Sequence, residues 1–473
     1  MQEDKLLLPS IEKMLASIIE KRPWLRLLNT DKNIFDYLRP AIDWKQQKDI
    51  FPSTALLSNI ITSHIKRLYG ESLADEAREQ LEVSWVVETG AHLHIPRRYN
   101  RVAKIDEAQI NSLLFQGQVL WSLAHQAFGH RLSIGLNSGR VPLDNTNSGA
   151  YLDLPALKVP FLLASKKRYP DTPQSLIPVI GVEEVERKIE LLDMYKKQRI
   201  LPEDQYLLGQ EILTNFLKVQ STFSDQVSTT HALMLNKVLP TTQITLDSEF
   251  IGKDFMIALL KDSTSLTYKI FDDSSWRMKF LDYFSDIRTG WPKGGSPFYS
   301  ISENDGSYKL THYDGDLSPE IIIKGLKENA LWLTGVMKFF IFMVEAGLLS
   351  SGGWTQTSYC TDVKNQAIKL LQELGYSERA EVLSQMPTNI AAVGPCWGVD
   401  EVDGTYQLLD AITTILNPSL IDSSKIITLT SNQTLLVATP TLYEFLLEEP
   451  ARLSYKDLKE ILQFAIVPRR LAE

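Results

Sequence analysis

Two histidines separated by one residue, His92 and His94, stand in a short polar segment, Glu88-Thr89-Gly90-Ala91-His92-Leu93-His94, that Pro96 brings to a stop. Imidazole changes charge near neutral pH, so such a pair can move a proton or hydrogen-bond a reacting group. A His-x-His pair can also begin a metal site, but that needs a third ligand. The candidates, His125, His130 and Asp144, are not brought to it by any spacing, and no metal is expected. Thr89 and Gly90 form a small-residue turn, where backbone amides without a ladder partner can hold a carboxylate or phosphate. A second polar stretch runs from Asn137 and Ser138 through Arg140 to Asp144 and Asn145. Asn, Gly and Asp are ordinary turn residues. Arg140 is more than turn filler, since a guanidinium grips a carboxylate or phosphate with two bonds. A third stretch, Gly352-Gly353-Trp354, would let backbone approach a ligand beside an aromatic platform, with Gln356 and Tyr359 adding hydrogen-bonding groups.

These groups need a frame. Val83 to Val87 reads as a short buried strand feeding the histidine segment. Glu107 to Gly129 repeats apolar residues every three or four and reads as a helix; Leu132 to Leu136 reads as a second strand feeding the Asn137 loop. Strand, helix, strand is a βαβ unit, expected to be right-handed with parallel strands. Both loops then leave the carboxyl end of the sheet, where open α/β sheets bind ligands. Val159 to Leu163 is a candidate third strand.

The remaining segments surround this unit. Residues 8–80 read as helical, with LLSNIITSHIKRLYG closing on Gly70. Residues 182–226 read as two helices broken at Pro202, and SEFIGKDFMIALLKD as another. Tyr268 to Phe271 and Pro297 to Ile301 look like strands, with Asn304-Asp305-Gly306-Ser307 a hairpin turn. Ser318-Pro319-Glu320 opens a helix running in pieces toward Leu349. Gly352 to Tyr359 reads as a loop that closes the pocket, and Thr361 to Leu374 as a helix. The expected fold class is α/β: a Rossmann-like parallel-sheet core with large helical insertions and a helical N-terminal region. The expected divisions are 1–80, helical; 81–181, the βαβ core; 182–262, a helical insertion; and 263–473, the second part of the core with C-terminal helices.

The chain has 473 residues, 44% hydrophobic and 23% charged, with a formal net charge of −9. That balance argues against a protein that binds by neutralising phosphates, so no nucleic-acid partner is expected. Two cysteines, neither in a Cys-x-x-Cys pair, exclude a cysteine-rich zinc site and fit a reducing compartment. The first ten residues lack an apolar signal core. The most apolar stretch, Ala330 to Leu349, carries Lys338 and Glu345 and reads as a buried helix, not a bilayer span. A cytoplasmic protein acting on small molecules, without a membrane partner, is the expectation. There is no GxGxxG, no GxxxxGK[ST] and no GxSxG.

The order of features resembles one family. A helical region precedes a strand ending in Thr89-Gly90-Ala91-His92; a helix and a strand with a polar end at Asn137 to Asn145 follow. Much later PFYSISENDGSYKL precedes a Ser-Pro-started helix and then GGWTQTSYCTDVKNQAIKLLQELG. From about Phe35 to Gly375 this arrangement resembles bacillithiol synthase, the cysteine-adding ligase, with Gly90-Ala91-His92 where that family has Gly-Gln-Gln. The resemblance implies a Rossmann-like core and a ligase or transferase joining an amino-acid-like amine or thiol to a small acceptor. It also implies roles. The Thr89 to His94 turn would hold the acceptor and His92 or His94 would move the proton. Asn137, Ser138, Arg140 and Asp144 would orient the amino acid, and Gly353, Trp354, Gln356 and Tyr359 would close over it. AHLHIP also resembles part of the HxGH signature of class I nucleotidylyltransferases. That makes ATP-dependent adenylate formation the alternative and leaves the use of ATP open. A third reading is a non-catalytic interaction protein that keeps an old fold.

Overall fold

In the computed structural model, strands β1 (Val86–Glu88), β2 (Leu132–Asn137), β3 (Thr242–Asp247) and β7 (Leu349–Ser351) form a sheet in the order β3-β2-β1-β7. All three pairings are parallel. The described residues are 10–21, 23–27, 30–90, 105–138, 151–152, 154–157, 161–162, 176–285, 287, 296–304, 307–391, 398–402, 405–408, 411–421, 423–447 and 467–468. The sheet strands are buried almost throughout, although β3 (TQITLD) and β7 (LSS) carry polar side chains inside. Glu88 lies beside Gly135 on one side and Ser351 on the other, and Asn137 beside Asp247. Every strand therefore ends on a polar side chain at the same edge.

The order is that of the first half of a dinucleotide-type sheet: the chain steps outward from β1 through β2 to β3, then returns to β1's other side as β7. The reversal falls between β1 and β7. The chain is thus an α/β protein with a Rossmann-like core and extensive helical regions. Helix α5 (Ile105–Ala127) joins β1 to β2. Between β2 and β3 come α6 (Val182–Lys197), α7 (Glu203–Lys218) and α8 (Phe223–Leu235), with Pro202 capping α7 at the expected break. Helix α9 (Ser248–Lys261) starts directly on β3. Helices α3 (Thr54–Tyr69), α4 (Glu71–Val83) and α9 pack on β2 and β3, and α8 packs on β3; α5 packs on β2 and itself carries α2 (Ile34–Ile42) and α18 (Ser431–Leu447).

Several local expectations change. The third sheet strand is Thr242–Asp247; Phe161–Leu162 instead pairs antiparallel with Tyr151–Leu152. Val83 ends α4, so the first strand starts later than its apolar run. Tyr268 to Phe271 lies in helix α10 (Leu266–Asp272), because Ser265 caps it and the buried Glu345 carboxylate accepts the Thr267 N–H. The hairpin is present as β4 (Phe298–Asn304) and β5 (Ser307–His312), with β6 (Leu331–Leu333) on β4's other edge. The Ser-Pro helix is short (α12, Pro319–Lys327), and β6 interrupts the stretch expected to continue it. After β6 come α13 (Gly335–Phe340), a π-helical turn at Ile341–Glu345, and β7.

The starts of β1 and β7 are clamped together. The Trp85 indole donates to the Ala346 carbonyl (2.8 Å), the Trp44 indole to the Gly347 carbonyl (2.9 Å), and the Trp85 N–H to the Trp44 carbonyl (2.6 Å). Gly347 is left-handed (φ +63°), and a Cβ there would lie 2.5 Å from the Phe51 ring. Arg379 holds the π-turn from behind, 3.6 Å from the Glu345 carboxylate and donating to the Ile50 carbonyl at 3.1 Å. These ties fix the register of β7 on β1, and hence what their ends place together.

Candidate functional site

The ends of β1 and β7 meet almost backbone to backbone. A Cβ on Gly90 would lie 2.6 Å from the Gly353 nitrogen and 3.1 Å from the Gly352 carbonyl carbon, so no side chain fits there. The Thr89 N–H donates to the Ser351 carbonyl (2.8 Å), and the Gln356 amide donates to the Thr89 hydroxyl. Gly353 caps α14 (Trp354–Glu373), whose first N–H groups lie beside this contact. The turn after β1 and the start of the helix after β7 thus meet at the reversal of strand order, bringing Thr89, Gly90, Gly353 and Gln356 together.

A row of buried polar side chains runs along the strand ends from there. Glu88 is buried; its Oε1 accepts the Gly90 N–H (2.7 Å) and its Oε2 a bond from Gln118 (3.4 Å). Asn137 is fully buried, and with its amide nitrogen toward Glu88 it donates to the Glu88 carbonyl (3.3 Å) and Oε2 (3.2 Å). Ser138 reaches Glu249 at 3.5 Å. Glu249, in the first turn of α9, forms a buried ion pair with Lys338 of α13, and the Lys338 ammonium also donates to Ser248 (3.2 Å). Asp247 accepts from Ser224 (2.5 Å) and from the Glu249 N–H (2.8 Å). Burial, and then the Glu249 charge, push the Asp247 carboxyl up to about 6.

Thr89, Gly90, Asn137, Ser138, Gly353 and Gln356 are therefore brought to one edge. Tyr359 is on α14, packed on Phe339 at 5.4 Å between ring centroids, and burial raises its hydroxyl pKa. Trp354 opens that helix, so Trp354 to Tyr359 is helical and not a closing loop; two glycines suffice for the turn because β7 reaches Ser351. His92, His94, Arg140 and Asp144 lie outside the described residues. His125 and His130 are at the far end of the sheet, before β2 begins, with Nδ1 atoms 2.8 Å apart. Among the described residues no three His, Cys, Asp or Glu side chains converge as a metal-ligand set.

Sequence reasoning missed Glu88, Gln118, Asp247, Glu249 and Lys338. One signal was available: the apolar run Ile244-Thr245-Leu246 followed by Asp-Ser-Glu is a strand running into a capped helix, the form a ligand-facing strand end takes.

Chemically, the edge offers unsubstituted backbone and a helix start for an anionic group. Beside them, three buried carboxylates against one ammonium give a negative potential that suits a cationic one. Fold and site together define the chain as an α/β protein with a Rossmann-like core and a row of buried polar side chains at the carboxyl ends of its strands. Comparison with family models, with curated proteins and with solved structures finds no match to the chain.

Proposed function

We propose that the chain is a small-molecule ligase or transferase of the bacillithiol-synthase-like type, joining an amino-acid-like amine or thiol to a small acceptor. The observation carrying this reading is the contact of Gly90 with Gly352 and Gly353 at the strand-order reversal, flanked by the Glu88, Asn137 and Asp247 row. In this reading the acceptor's carboxylate or phosphate sits against the glycine turn and the start of α14. The nucleophile's ammonium is drawn to the carboxylate row. His92 or His94, a few residues after Gly90 in the chain, takes a proton from the amine or thiol as it attacks the acceptor and the bond to the acceptor's leaving group breaks. Arg140 and Asp144 orient the amino acid.

Thermal-shift measurements over a panel of amino acids, with mass spectrometry of mixtures containing small carboxylate- and phosphate-bearing acceptors, test this. An amino acid is expected to raise the Tm of the wild type and not of Gly90→Val, and a condensation product is expected. His92→Ala should lose turnover with its melting temperature unchanged. No amino-acid-dependent shift and no product would sink the reading. Amino-acid-dependent exchange of pyrophosphate into ATP would replace it with adenylate formation.

A further inference from the structure

A concave site, sharing no residue with the polar row at the strand ends, lies between α7, α8 and the end of α3. Its volume is about 730 Å³, within the range of roughly 300–1,000 Å³ usual for small-molecule pockets. Its walls are mixed. Leu68, Val219 and Leu233 supply apolar surface, and Arg67, Lys218 and Lys237 supply three cations against the single acid Glu211. In a chain of net charge −9, such a concentration of positive charge runs against the overall field.

The cations differ in what holds them. Lys237 pairs with Glu211. Arg67 makes a two-pronged bond to the buried Asp225, at 2.7 and 3.0 Å, which fixes its guanidinium plane at the groove while leaving it part-exposed. Lys218, at the last turn of α7, is exposed and enters no ion pair among the described residues. A pre-oriented guanidinium beside an uncommitted ammonium, over an apolar floor, is the arrangement that takes an acid group attached to an apolar body.

We propose that this groove binds a small organic anion. Its acid group is held by Lys218 with Arg67 and Lys237, and its apolar body lies along Leu68, Val219 and Leu233. Two fluorescent probes test this: anilinonaphthalene sulfonate, and the uncharged phenylnaphthylamine, which has the same rings without the acid. The sulfonate is expected to fill one saturable site in the full chain, and phenylnaphthylamine to bind it more weakly. Lys218→Glu and Lys237→Glu should each weaken the sulfonate about tenfold and leave phenylnaphthylamine unchanged. Leu233→Asp should weaken both. Sulfonate affinity unchanged in Lys218→Glu, an exposed position at which folding is not at stake, would overturn the proposal, as would equal binding of the two probes.

Discussion

Asp247 is held in a setting that resists its charge. Its carboxyl titrates at about 6 in the folded chain, against about 3.9 in an unfolded one. A raised carboxyl pKa means the folded state holds the proton more tightly. The stability it contributes is complete below about pH 4 and is lost as pH rises through 6. Asp247→Asn should therefore be more stable than the wild type at pH 8, by about 2–3 kcal/mol, and nearly equal to it at pH 4. Urea unfolding at the two pH values measures this; a variant less stable at pH 8 would show that the carboxylate is well compensated. A group retained at such cost is typical of functional sites. At this scale Thr89, Gly90, Gly353 and Gln356 were legible because small and polar residues at strand ends have few structural reasons to be there. Glu88 and Asp247 were not. A strand-terminal Glu and a helix-capping Asp look alike in sequence whether exposed or buried.

At the scale of elements, the polar row at the strand ends depends on how α9 and α13 are tied together. Lys338 and Glu249 form a buried ion pair between them. Removing one partner strands a charge and should cost about 3–5 kcal/mol, whereas replacing both with neutral groups of similar volume should cost far less. A urea double-mutant cycle of Lys338→Met and Glu249→Gln is expected to return most of the single-variant loss in the double variant. Additive losses would mean the two act independently. The βαβ unit was readable because β1, α5 and β2 each carry a strong apolar pattern of their own. Strand β7 was not, since Leu349-Ser350-Ser351 has no intrinsic strand preference and is a strand only because the Trp85 and Trp44 bonds lay it against β1. The helix over Tyr268 to Phe271 failed in the opposite sense. Its residues suit a strand, and a cap with a distant carboxylate overrides them.

Over the whole molecule, the N-terminal and C-terminal helices close on each other. Helix α1 (Ile11–Lys21) packs on α18, and Asn33 bridges to Thr430. The resulting interior includes two histidines kept neutral by burial, with His125 lowered to about 3 and His231 to about 4. Lowered histidine values mean the unfolded chain binds more protons. Their contribution is complete above about pH 6.5 and is lost as pH falls toward 4, by roughly 3 kcal/mol each, against about 2 kcal/mol returned by Asp247. The loss of unfolding free energy between pH 7 and pH 4 should therefore be smaller in His125→Gln than in the wild type, by about 3 kcal/mol. Equal pH dependence in the variant and the wild type would contradict the burial of the His125 ring. His125, at the end of an apolar helix pattern, reads in the sequence as a packing residue, whereas the burial of His231 depends on elements far away in the chain and does not show there.

The indole bond from Trp85 to Ala346 joins positions 261 apart. A ribosome adding about 5–20 residues per second needs on the order of 10–50 s to span that interval. Throughout that time the inner strand of the sheet has one flank bare and no glycine partner to meet, an invitation to wrong pairing. Newly made chains should accordingly need shelter from their neighbours, and yield on dilution from denaturant should fall steeply as protein concentration rises.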